Sequence, residues 1–102
     1  MTQQGQITIL GAAKSGIGAA ALAKKEGLEV FVSDYGAIKD HYKSKLKALN
    51  IEWEENGHST DRILSSKEVI KSPGISDEVQ IIKELVKCNI PVISEIEFAS
   101  RY

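Results

Sequence analysis

The sequence predicts an α/β fold, a Rossmann-like open sheet of five parallel strands with helices on its faces. Short apolar runs alternate with stretches of helical periodicity along the chain, the pattern of repeated βαβ units. Gly11 and Gly16 follow the first apolar run in ILGAAKSGIG, as in a tight strand-to-helix turn. Asp34 closes the second run, where an open parallel sheet presents its ligand-binding edge.

Each element has its own warrant. QITIL, ending at Gly11, is the first strand, and a helix runs from about Ser15 to Glu26 with Gly27 as its left-handed stop. Ala19, Ala20, Ala21 and Ala23 leave that helix little bulk, so it can lie close on a sheet. EVFVSD is the second strand, with Asp34 at its carboxyl end. A helix over 37–49 places Tyr42, Leu46 and Leu49 at i, i+4 and i+7 with lysines between them. IEWEEN alternates Ile51 and Trp53 with glutamates, a third strand near an edge.

EVIKS is the fourth strand, closed by Ser72-Pro73-Gly74. Pro and Gly at the centre suit a type II turn, because glycine accepts the positive φ. A helix is expected from Asp77 to about Cys88, burying Val79, Ile82, Leu85 and Val86. PVIS is a fifth strand. Ser94 and Glu97 then form a capping box for a last helix, EIEFASRY, still running at Tyr102. No repeat, low-complexity tract or linker interrupts residues 1–102, which read as one domain.

Composition narrows the function. The chain is 42% apolar and 26% charged with a net charge of −1, which points to no nucleic-acid or anionic-membrane partner. The lysines at 39, 43, 45 and 47 and the glutamates at 52, 54 and 55 read as solvated faces. Cys88 is the only cysteine, so no intrachain disulfide forms and a reducing cytoplasm fits; beside Leu85 and Val86 it reads as a small buried hydrophobe. His41 and His58 lie far apart without ligand spacing, so no metal site is expected. The polar start, MTQQGQ, and the lack of a long apolar run indicate neither a leader nor a membrane span.

The glycine turn carries the chemistry. Gly11 permits a tight exit from the strand and Gly16 a close approach of helix to sheet. Free N–H groups opening the helix favour an anion, and the Ser15 hydroxyl and Lys14 ammonium add donors. A P-loop is excluded, because Ala13 rather than glycine precedes Lys14-Ser15. Ala13 also stands where a dinucleotide fingerprint has its middle glycine, which weakens a nicotinamide-cofactor reading without forbidding phosphate. Asp34 lies at the interval of an acidic residue that takes ribose hydroxyls, and it can equally accept from a base N–H. Tyr35 either stacks on a base or covers the second helix.

ILGAAKSGIGAA, VSDYG, SPGIS and PVISEIEFASR, in that order, resemble the amino-terminal domain of the Mur ligases, and among them the D-glutamate-adding type. The resemblance covers nearly the whole chain. It implies a cytoplasmic role in peptidoglycan synthesis, in a monomer of three domains of which this is the first. That domain holds the UDP end of UDP-N-acetylmuramoyl-L-alanine. A central domain takes ATP and Mg²⁺, and a third helps bind D-glutamate. ATP phosphorylates the substrate carboxylate, and the amine of D-glutamate displaces the phosphate to form the amide.

By the same resemblance Lys14 and Ser15 match the turn that meets the diphosphate, Asp34 matches the residue that bonds uracil or its ribose, and Tyr35 and Gly36 match its neighbours. Gly74 offers a backbone contact to the same nucleotide. Gly36 departs from the family, which often carries a larger polar or basic residue there, and the ATP-binding loop does not arrive before Tyr102. Residues 1–102 are therefore expected to be a fragment that binds and does not ligate, with no catalytic residue and no metal of its own. An NAD-binding domain of an oxidoreductase and a non-enzymatic interaction module remain the alternatives.

Overall fold

The computed structural model describes residues 5–75 and 79–102. Five parallel strands form one sheet in the order β3-β2-β1-β4-β5. They are β1 (Gln6–Leu10), β2 (Glu29–Ser33), β3 (Glu52–Glu54), β4 (Glu68–Lys71) and β5 (Val92–Ser94). Between and after them run α1 (Lys14–Lys25), α2 (Asp40–Ala48), α3 (Thr60–Leu64), α4 (Gln80–Lys87) and α5 (Glu95–Ala99). The strand order reverses direction between β1 and β4, so a crevice is expected beyond their carboxyl ends.

Alternation along each strand sends side chains into two cores. Ile7, Ile9, Val30, Val32 and Ile70 meet α1, Leu46 of α2 and Phe98 of α5 on one face. Leu10, Phe31 and Val69 meet Ile63 of α3 and the Ile81, Ile82 and Leu85 stripe of α4 on the other. Ala19, Ala20 and Ala23 are buried, as the low bulk of α1 requires for close packing. Gly18, in the same helix, has open space around a Cβ position. Gly18→Ala should stabilise the domain by about 0.5–1 kcal/mol through helix propensity, read as a higher urea midpoint.

Three helices end alike. After α1, α2 and α4 the chain turns left-handed at Gly27, Asn50 and Asn89, with φ of 81°, 58° and 59°. In each the next N–H reaches back to a helix carbonyl: Leu28 to Ala23, Ile51 to Leu46 and Ile90 to Leu85. This is the Schellman pattern, and the apolar residue after each turn joins a core.

Several expectations need correcting. The helix α3 lies in a segment to which the sequence assigns no element, and it is seated by tertiary contacts. Arg62 lies 3.8 Å over the Phe31 ring, and its Nε donates to Gln6 Oε1. Ser66, just past it, lies 2.5 Å from buried Thr8. Val79 and Val86 are exposed, and Ile81 takes their place in the stripe. Cys88 is exposed rather than buried, because it caps α4 beyond the packed stripe. The turn at Ser72 closes with a 3.0 Å bond from Ile75 N–H to Ser72 O. Gly74 does not adopt a positive φ, so the turn is not type II.

The first helix opens at Lys14, α2 starts later than expected and α5 ends at Ala99. The expected helix start at Asp77 lies outside the described residues. Lys43 is not merely solvated, since it pairs with Glu55 at 2.7 Å. Among the described residues no helix is long and apolar enough to cross a membrane.

Candidate functional site: the glycine turn and its neighbours

The turn after β1 is built on two glycines that touch. Gly11 leaves the strand at φ 99° and bonds Ser33 O through its N–H at 2.9 Å. A Cβ on Gly16 would sit 1.9 Å from Gly11 O. Only a residue without a side chain lets α1 begin this close to the strand. No side chain caps α1, and no acidic residue stands in its first turn; α4 shares both features, whereas α2 and α3 each carry one acidic residue there and α5 carries two. The N–H groups opening α1, with the helix dipole, are thus open to an anion. Lys14 and Ser15 are exposed at this opening.

Asp34 braces the turn. Its Oδ2 accepts from Ala12 N–H at 2.8 Å, and its Oδ1 accepts from Gly36 N–H at 2.9 Å. Each oxygen keeps one further acceptor position. Tyr35 is 79% exposed, so it does not cover α2. Across the switch point, Ser72 Cβ lies 3.0 Å from the position a Cβ on Gly11 would take. That contact brings the Ser72–Gly74 turn beside the glycine turn, with Gly74 exposed.

The sequence reading missed two groups here. Behind the turn, Glu95 Oε2 lies 3.6 Å from the Cβ position of Gly16 and is buried without a hydrogen-bond partner among the described residues. Beside Asp34, Ser33 Oγ donates to Glu54 Oε2 at 2.7 Å and meets His58 Nδ1 at 2.6 Å. Glu54 also accepts from Ser59 N–H at 2.7 Å. Burial acts to raise the Glu54 carboxyl, but the Ser59 and Ser33 bonds and the His58 charge outweigh it, and its pKa falls below the usual range. The signal for His58 is its place in the loop just past β3, since residues there converge on the same edge.

Burial also pushes the His58 imidazole below its usual value, against the opposing pull of Glu54 and Asp34. The unfolded chain therefore takes up this proton first as pH falls. Stability from His58 is full above about pH 6.5 and is lost as pH drops from there through the folded pKa. The urea midpoint should decline across that interval, and His58→Gln should flatten the decline.

A family model described as the MurD N-terminal domain matches residues 6–81. The chain belongs to the MurD N-terminal domain family. Among its relatives is the UDP-N-acetylmuramoylalanine–D-glutamate ligase of Bacteroides thetaiotaomicron, 56% identical over 97 residues, which are 95% of this chain and 22% of the relative. The ligase of the same name from Porphyromonas gingivalis is 53% identical over 96 residues, covering 94% of this chain and 21% of its own. This MurD-type domain thus spans about a fifth of the length of the relatives it matches. In fold it is similar to UDP-N-acetylmuramate:L-alanyl-gamma-D-glutamyl-meso-diaminopimelate ligase from Neisseria meningitides. That match has a TM-score of 0.83 at 22% identity, over 97% of this chain and 31% of that one. The expected fold class holds, and the oxidoreductase alternative is not favoured.

Proposed function

We propose that this MurD N-terminal domain holds the uridine diphosphate end of UDP-N-acetylmuramoyl-L-alanine for an ATP-dependent ligase that adds D-glutamate in peptidoglycan synthesis. The observation that carries the reading is the uncapped, acid-free opening of α1 beside the Asp34 brace, in a chain of this family. The N–H groups of Lys14, Ser15 and Gly16 meet the diphosphate, and the Ser15 hydroxyl and Lys14 ammonium add donors. Asp34 offers its remaining acceptor positions to the uracil N–H or a ribose hydroxyl. Tyr35 and Gly36 lie around the base, and Gly74 reaches the nucleotide through its backbone.

ATP and Mg²⁺ do not fit the described residues. The glycine turn lacks the Gly-Lys-Ser/Thr ending of a phosphate loop, and no group of three metal-ligating side chains is assembled among these residues. In the whole ligase both belong to parts outside this segment, as does D-glutamate. The enzyme works as a monomer in the cytoplasm.

NMR titration with UDP tests the reading: amides of Ser15, Asp34 and Gly74 should shift, and unmoved resonances at millimolar UDP would refute it. Asp34→Ala should weaken UDP about ten- to hundredfold, as expected for one hydrogen bond to a charged acceptor, and more than it weakens inorganic diphosphate. Equal losses for the two ligands would remove the nucleoside role of Asp34.

A further inference from the structure

Proton counting fixes the direction of the relay beside Asp34. Ser33, buried at the end of β2, has a single hydroxyl hydrogen, and it goes to Glu54 Oε2 at 2.7 Å. Glu54, ionised and accepting from Ser59 as well, has no proton to return. His58 Nδ1, 2.6 Å from Ser33 Oγ, must therefore be the donor of that bond. A neutral ring protonated on Nδ1 carries its lone pair on Nε2.

His58 Nε2 has no partner of its own among the described residues. Among the described residues the fully buried side-chain atom without a partner is Glu95 Oε2, so Nε2 of the half-buried His58 keeps some exposure to solvent. It does so on the carboxyl edge of the sheet. The His58 ring lies 5.9 Å from the Tyr35 ring at 48°, and it is near enough to Asp34 to feel that charge. Asp34 itself already spends one acceptor position of each oxygen on the backbone. The edge thus offers a second acceptor, oriented by a buried serine and set against an exposed aromatic ring.

We propose that His58 Nε2 accepts a hydrogen bond from the nucleoside part of the ligand, from a ribose hydroxyl or the base N–H, with Tyr35 alongside. This assignment rests on the nucleotide reading above and adds to it a specificity residue outside the glycine turn. It makes the domain select a nucleoside over bare diphosphate through two acceptors instead of one.

The test is UDP binding to the wild type and to His58→Asn. The asparagine amide can replace the Nδ1–H bond to Ser33 and has nothing at the Nε2 position. UDP should bind about fivefold more weakly, the loss of one hydrogen bond, while inorganic diphosphate and the urea midpoint stay near wild type. His58→Gln, whose carbonyl reaches the Nε2 position, should recover part of the loss. N3-methyl-UDP and 2′-deoxy-UDP distinguish the donors: the analogue lacking the donated hydrogen binds wild type more weakly and is insensitive to His58→Asn. In the wild type, the His58 ring nitrogens should report a proton on Nδ1, and UDP should shift Nε2. Equal UDP affinity in His58→Asn, a proton on Nε2, or an Nε2 resonance unmoved by saturating UDP would overturn the assignment. Those outcomes leave the Ser15 and Asp34 shifts intact, so they are distinct from a failure of UDP to bind at all.

Discussion

Gly16→Ala is expected to lose at least about 3 kcal/mol of stability, beyond the ordinary range for an overpacked site. The methyl would stand 1.9 Å from Gly11 O and 3.0 Å from Gly11 C. Both are backbone atoms, so no rotamer change relieves the overlap. The strand side cannot swing away freely, because Gly11 N–H is bonded to Ser33 O and Ala12 N–H to Asp34. The helix side is anchored by buried Ile17, Ala20 and Ala23. A domain with roughly 5–15 kcal/mol in total would be left marginal, and its α1 opening would be displaced from any diphosphate. Gly18→Ala, two positions on, is the matched control. A Gly16→Ala urea midpoint equal to wild type would show that the close approach at the turn is not rigid.

Phe98→Ala should remove about 3–5 kcal/mol, the usual loss for a buried phenylalanine. Phe98 is fully buried and is the one buried residue of the five-residue α5. A helix that short has little stability of its own. Tyr102 meets the ring edge-on at 5.4 Å, and Arg101, paired with both oxygens of Glu68 at 2.8 and 2.7 Å, sits 5.9 Å away. These contacts follow from the ring being seated and do not replace it. Without Phe98, α5 loses its anchor and Glu95 loses its position behind Gly16. The melting temperature should fall by roughly 15 °C or more, whereas Phe98→Leu should fall far less. A small shift for the alanine variant would show that α5 is held by something else.

The strands were legible because each is a compact apolar run ended by a turn residue, and all five are present in the sheet. The helix α3 was not, since TDRIL is too short to show a stripe and is seated by Arg62, Phe31 and Gln6. In α4 the choice between neighbouring apolar residues went wrong. At 100° per residue, Ile81, Ile82 and Leu85 cluster on one side, while Val79 and Val86 fall roughly 100° from its centre. That Gly11, Gly16 and Asp34 come together at one turn was readable because the motif is local and its spacing is set by one βα unit. The Ser33–His58–Glu54 relay was not, because it exists only once β3 lies beside β2. Glu95 joins the turn from the far end of the chain, and no spacing rule reaches that distance. Pro73-Gly74 signalled a turn correctly, but the expected positive φ of Gly74 is not used.

The solvent-facing thiol of Cys88 has a practical use. It follows the carboxyl end of α4, and helices of a parallel sheet run back toward the strand beginnings, so it stands at the pole opposite the glycine turn. As the sole cysteine, it gives one attachment point for a maleimide dye or a surface tether. Immobilised there, every molecule on a sensor chip would present its glycine-turn edge outward in the same orientation.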